Sequence, residues 1–231
     1  MVRFAARVLP LMLVLAACTA SPPPPPPISA AATSPATTVS VPATPRAARP
    51  RVVFLGDSLT AGLGLAPEQA FPALLQRRMD AAGLGYDVIN AGVSGDTSAG
   101  GLSRAEWATE GDVRVLVVAL GGNDALRGLP TDDLRRNLLA IVTAAQARGI
   151  RVLLAGMEAP PNVGPAYAAA FRQVYVDVAE RTHCARLPFL LEGVAGEPAL
   201  NQADGIHPTA AGAARVADHV WTALQPLVPP A

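Results

Sequence analysis

Apolar and polar positions divide the chain into three stretches. An apolar run from Val8 to Ala17 comes first, large apolar residues are then almost absent from Thr19 to Pro50, and from Arg51 onward short apolar runs alternate with amphipathic ones. Within the third stretch, Val52 to Leu55, Tyr86 to Ala91, Val113 to Leu120 and Arg151 to Ala155 read as β-strands, being short, rich in apolar residues and bounded by turn residues. Val113 to Leu120 is nearly all apolar, as befits a strand covered on both faces, and is expected at the centre of a sheet. Phe71 to Ala82, Leu134 to Ala147 and Tyr167 to Arg181 carry apolar residues at helical spacing, the second stopped by Arg148-Gly149. Ala185 to Leu187 makes a short last strand, and Pro208 opens a closing helix that runs to about Leu224. This alternation predicts an α/β fold with a parallel sheet between helix layers, because parallel strands need crossovers and helical crossovers are right-handed. Residues that act on a ligand then belong at the carboxyl ends of the strands.

The first stretch changes the picture of where the protein works. Arg3 and Arg7 precede the apolar run, which ends in small residues and Cys18, the form of a signal peptide. The run falls far short of the roughly 20 apolar residues that cross a bilayer. Leu15-Ala16-Ala17-Cys18 resembles a bacterial lipobox, which implies cleavage before Cys18 and acylation of that cysteine. Several acyl chains matter, since one gives only marginal membrane binding. The other reading is an ordinary secretory leader, and either one exports the chain.

Pro22 to Pro27 form one block, followed by alanine, threonine, serine and more proline, a composition that cannot build a core. It reads as a tether, polyproline II at about 3.1 Å per residue in the proline block. The expected organisation is a signal peptide over 1–17, lipidated Cys18 with a proline-rich linker over 18–50, and one folded domain over 51–231. The protein is expected to be anchored to a bacterial membrane, facing the periplasm or the exterior, and to act as a monomer.

Charge and cysteine content narrow the partners. All 18 basic residues are arginine, and without Arg3 and Arg7 the remaining 16 face 18 acids, a mature charge of −2. Neither nucleic acid nor an anionic surface is implied. Cys18 and Cys184 are the only cysteines, which gives no disulfide framework and no metal site.

Four short blocks carry candidate chemistry. Gly56-Asp57-Ser58-Leu59 follows the first strand and places a serine hydroxyl where the chain leaves the sheet. Alone, such a tripeptide is more often a turn with a helix cap. Asp204-Gly205-Ile206-His207-Pro208 supplies the partners that a serine nucleophile needs, an imidazole to take its proton and a carboxylate to orient the imidazole. His183 reads as a helix-end residue and His219 as an ordinary helical histidine, leaving His207 as the base. Gly92 to Thr97 and Gly121 to Asp124 follow the second and third strands, so both turns can face Ser58. Acyl transfer generates an oxyanion that needs preplaced donors, and the Gly95 N–H and the Asn123 amide suit that role.

In order and spacing these blocks resemble the SGNH, or GDSL-type, hydrolases, with Ser58, Gly95, Asn123 and His207 in the four named places. The resemblance covers about Val52 to Val228. It comes nearest the bacterial multifunctional thioesterase, protease and lysophospholipase group through Asn90-Ala91, Ser94 to Ser98, Leu120 to Asp124, Leu126-Arg127-Gly128 and Leu187-Pro188-Phe189. It implies a flavodoxin-like three-layer α/β/α sandwich, no metal or other cofactor, the Ser58 N–H as a third oxyanion donor, and a small-molecule acyl ester or thioester as substrate. The lipobox and tether depart from that group. So does the loop Glu158 to Gly164, which lacks the larger apolar and basic residues expected before its proline and leaves chain-length preference open.

Competing signals are weaker. Gly62-Leu63-Gly64 hints at a dinucleotide site, but Pro67 stands where a third small residue belongs. Cys184 reads as a buried structural thiol, Trp107 and Trp221 as core, and Asp57 and Asp124 as loop ties outside the catalytic set. Two other functions stay in view: deacetylation of envelope polysaccharide, and a binding module that keeps the fold without turnover.

Overall fold

The computed structural model describes residues 49–230, so Cys18, the leader and most of the proline-rich stretch lie outside the described residues. Five parallel strands form one sheet: β1 (Arg51–Gly56), β2 (Asp87–Gly92), β3 (Val113–Ala119), β4 (Arg151–Ala155) and β5 (Ala185–Leu187), in the order β2-β1-β3-β4-β5. That is the flavodoxin-like order, and β3 holds the centre expected of its apolar run. Seven helices alternate with the strands: α1 (Ser58–Ala61), α2 (Phe71–Ala81), α3 (Ser98–Ala108), α4 (Gly122–Leu126), α5 (Thr131–Ala147), α6 (Pro165–Thr182) and α7 (Ala210–Leu224). α2 packs with α7, and α3, α5 and α6 pack together, which makes the two outer layers of the sandwich. Val115 to Val118 and Val52 to Leu55 are fully buried between them.

Local signals account for most boundaries. The Thr97 side chain accepts the Gly100 N–H and caps α3, a helix whose Gly100-Gly101 pair hides it from a propensity reading. The closing helix begins at Ala210, not at Pro208, because Thr209 is its cap and Pro208 pairs with Asn201 in a short antiparallel bridge. Trp107 is not core: it is 69 % exposed, at a cleft that it lines with Ile89, Asn90 and Ala91 of β2. Trp221 is half-buried against the core, with the Arg78 guanidinium 5.5 Å from its ring centre. Arg49, two residues before the expected domain start, already pairs with Asp80 and Asp87.

Tyr175 on α6 lies under the turn that follows β3. It is fully buried, meets Phe171 edge-on at 5.5 Å, and donates its hydroxyl to Leu120 O at 2.9 Å. Leu120 O is a buried carbonyl at a strand end, where losing its donor leaves it unsatisfied. Tyr175→Phe is therefore expected to lower the unfolding free energy by about 1–2 kcal/mol in urea titrations, with the fold retained. An unchanged midpoint would show that Leu120 O finds another donor.

Candidate active site

Register decides where the blocks meet. Gly56 pairs with Gly92 in β2 and with Ala119 in β3, so the three strands end level and release their turns along one edge of the sheet. Asp57 follows β1 and caps α1, its Oδ1 accepting the Leu59 N–H at 3.0 Å. Ser58 is the first residue of that one-turn helix, so its own N–H has no acceptor within it. α1 lies across the end of β2. A Cβ on Gly92 would stand 2.3 Å from Ala61 N, so a side chain there would push the serine's helix off the sheet. At the third turn Gly121 has φ +118°, and a Cβ would meet the Tyr175 hydroxyl at 2.0 Å.

The histidine arrives on a loop that closes on itself. Gln202 N–H donates to His207 O at 2.7 Å, Thr209 N–H to Leu200 O at 2.9 Å, and the Asn201 side chain donates to Val194 O and Glu197 O at 2.6 and 2.9 Å. Gln202 Nε2 also donates to Leu63 O at 2.7 Å, which ties this loop to the turn after Ser58. Asp204 Oδ1 accepts the N–H groups of Ile206 and His207 at 2.9 and 3.0 Å, a turn that swings His207 back over its own carboxylate.

The side chains then form one line. His207 Nδ1 lies 2.6 Å from Asp204 Oδ2, and His207 Nε2 lies 2.8 Å from Ser58 Oγ. The His207 backbone N–H, its ring and the Ile206 N–H hold the Asp204 carboxyl well below the usual carboxylate range. An ionised carboxylate can only accept, so Nδ1 carries the proton and Nε2 is left to accept from the serine hydroxyl. A line of this kind can move a proton from hydroxyl to imidazole as the oxygen attacks a carbonyl.

The flanking turns meet the same place. Asn123 Nδ2 donates to Asp96 O at 2.9 Å and lies 3.4 Å from Asp57 Oδ2. Gly95 sits next to Asp96 with φ +85°, and its carbonyl accepts Arg127 Nη2 at 2.9 Å. Ser58, Asn123 and His207 line a crevice of about 420 Å³ whose other walls include Leu126, Met157, Pro160, Phe189, Leu191 and Ile206. Gly95 approaches through Asp96 and is not part of that lining. Glu158 at the crevice is held by Arg172 through two bonds of 2.7 and 2.6 Å. Among the described residues no group of three or more His, Cys, Asp or Glu side chains could hold a metal ion.

The family model for GDSL-like lipases and acylhydrolases matches residues 54–215. The chain belongs to that family. This acylhydrolase-family chain is 46% identical to esterase TesA of Pseudomonas aeruginosa, over 80% of its own length and 92% of the relative's. It is 37% identical to thioesterase 1/protease 1/lysophospholipase L1 of Escherichia coli strain K12, over 79% and 86% of the two chains. Its fold superposes on the crystal structure of TesA with a TM-score of 0.74 at 46% identity, covering 77% of this chain and 99% of that one.

The remaining candidates fall to structural roles in this hydrolase. His183 closes α6 in the left-handed region (φ +53°), and His219 Nε2 meets Phe189 O at 2.9 Å. Cys184 is half-buried, less than expected, and burial pushes its thiol up, away from a reactive thiolate. Asp124 is buried and accepts the Ser98 N–H and hydroxyl at 2.8 and 2.5 Å, joining α4 to α3. Gln202 carried no signal in the sequence, and Arg127 stood there only within Leu126-Arg127-Gly128, since each acts on a backbone carbonyl far away in sequence.

Asp57 offers a direct test of the site's electrostatics. It is buried, and burial, opposed by the Leu59 N–H, pushes its carboxyl from 3.8 up to about 6. Between those values the folded chain binds more protons than the unfolded one, so this group's contribution is full below about pH 4 and is lost as pH rises through 6. Two pKa units correspond to about 3 kcal/mol. Asp57→Asn keeps an acceptor for Leu59 and removes the titration. The stability advantage of the variant over the parent is expected to grow by about 3 kcal/mol between about pH 4 and pH 7.5 in urea titrations. A pH-independent difference would refute the shift.

Proposed function

We propose that this chain hydrolyses acyl esters or thioesters through an acyl-enzyme on Ser58. His207 acts as general base and then general acid, and Asp204 holds the imidazole and stabilises its charged form. The Ser58 and Gly95 N–H groups and the Asn123 amide receive the oxyanion. The observation that carries this reading is the line from Asp204 through His207 to Ser58 at 2.6 and 2.8 Å, opening on an apolar crevice.

In the first half-reaction Ser58 Oγ attacks the acyl carbon and its proton passes to His207 Nε2. Collapse of the tetrahedral adduct expels the alcohol or thiol, which takes that proton. Water then repeats the sequence on the acyl-serine and releases the acid. General-base action of this kind contributes roughly 10² to 10⁴ in rate, and each oxyanion donor about 2.7 to 4 kcal/mol. The crevice walls are mostly apolar, with Leu126, Met157, Phe189 and Ile206 among them, which favours longer acyl chains over deacetylation of a polysaccharide. The relatives' names, esterase and thioesterase/lysophospholipase, support the same substrate class.

We further propose that the enzyme is exported and held at a bacterial membrane by acylated Cys18. The Leu15-Ala16-Ala17-Cys18 sequence at the end of the short apolar run supports this. Cys18→Ser in the full chain is expected to move esterase activity from the membrane fraction to the soluble fraction and to abolish fatty-acid labelling of the protein. Membrane retention of the variant would overturn the anchor.

The esterase reading is tested with p-nitrophenyl esters from acetate to palmitate. Turnover is expected to peak at an intermediate chain length, to vanish in a folded Ser58→Ala variant, and to fall in kcat by roughly 10² to 10³ in Asn123→Ala. Undiminished hydrolysis by Ser58→Ala would sink the mechanism.

A further inference from the structure

Arg104 lies on α3, outside all four sequence blocks, yet its guanidinium reaches the base of the site. Nε donates to Asp96 Oδ2 at 2.7 Å, Nη1 to Ala91 O at 2.7 Å and Nη2 to Gly56 O at 2.8 Å. The Arg104 and Asp96 side chains are only 17 and 19 % exposed. Each acceptor belongs to a segment that carries a site residue. Gly56 ends β1 immediately before Asp57-Ser58, and Ala91 is the penultimate residue of β2. Asp96 follows Gly95, and its own carbonyl accepts the Asn123 amide. Gly56 O additionally accepts the Val93 N–H at 3.0 Å, so Arg104 and a donor from the second block converge on the carbonyl behind the serine's turn.

We propose that Arg104 is the positioning residue of the oxyanion hole: its three bonds fix the spacing between the serine's turn and the Gly95 turn, and through Asp96 the orientation of Asn123. This rests on the assignment of Gly95 and Asn123 as oxyanion donors. A planar fork with donors on three nitrogens reaches acceptors on three separate segments in fixed directions, whereas the donors of an ammonium radiate from one atom on a flexible stem. Tight placement matters because oxyanion donors act at about 2.7 to 3.1 Å from the developing charge, and misplacement by about 1 Å costs on the order of 10² in rate. The ion pair also cancels the Asp96 charge one residue from Gly95, where an unpaired carboxylate would oppose an oxyanion.

The test compares Arg104→Ala, Arg104→Lys and Asn123→Ala in the full chain, each checked for folding by thermal melting. Three quantities are read: kcat and KM on the preferred p-nitrophenyl ester, and inhibition by an alkyl trifluoromethyl ketone, which forms a hemiketal oxyanion on a serine. Arg104→Ala is expected to lose about 10² in kcat with KM within about threefold, and to weaken the ketone by a similar factor. Added guanidinium ion should restore part of kcat, and Arg104→Lys should stay well below the parent. A folded Arg104→Ala with parental kcat and ketone affinity would overturn the proposal, as would a loss confined to KM. If Arg104→Ala does not fold, parental kcat and ketone affinity in folded Arg104→Lys overturn it in the same way. Loss of activity in Asn123→Ala beside normal Arg104 variants removes the clamp alone, whereas parental kcat in Asn123→Ala removes the oxyanion assignment and the clamp with it.

Discussion

Everything at the site depends on three parallel strands ending at the same height. Because Gly56 pairs with both Gly92 and Ala119, the chain leaves β1, β2 and β3 side by side, and three turns from distant parts of the sequence share one edge. The level ends would be useless if the turns could not crowd together. Absent side chains at Gly92 and Gly121 let α1 settle across β2 and let the third turn pass over Tyr175. Hydrogen bonds to backbone carbonyls then lock what the sterics permit, as Tyr175 does for Leu120 and Gln202 for Leu63.

At the site one carboxyl costs the fold stability when it ionises and another adds stability. A carboxyl at Asp57 is buried beside the serine and reluctant to ionise, while Asp204, wrapped in N–H donors, stays charged in every ordinary condition. Two acids within one site thus meet opposite environments, the usual signature of residues retained for chemistry or for the placement of chemistry.

Much of this was legible in the sequence for a physical reason. Strand runs such as Val113–Ala119 and the four blocks are local patterns, and turns between alternating elements can go few places in a parallel sheet. What escaped was non-local or contrary to propensity. α3 contains two adjacent glycines and shows little periodicity, so its existence depends on the Thr97 cap and on packing. Pro208, a common helix opener, is drawn instead into pairing with Asn201. Trp107 stays exposed although tryptophan is usually well buried, because it lies over a cleft beside Ile89 and Ala91 of β2 that no further element covers among the described residues. Nothing distinguishes Arg104 or Gln202 in sequence from the chain's other arginines and glutamines; only the carbonyls they reach do.

The direction of β1 sets the point of entry and the serine apart. The polypeptide enters the folded unit at Arg49 and Arg51, at the amino edge of the sheet, while Ser58 stands beyond the carboxyl edge. A strand of six residues at about 3.3 Å each separates the two edges by about 20 Å. Entry and chemistry thus lie on opposite edges of one sheet. Residues at the entry edge can accordingly vary in charge and shape without touching an acyl group in the crevice.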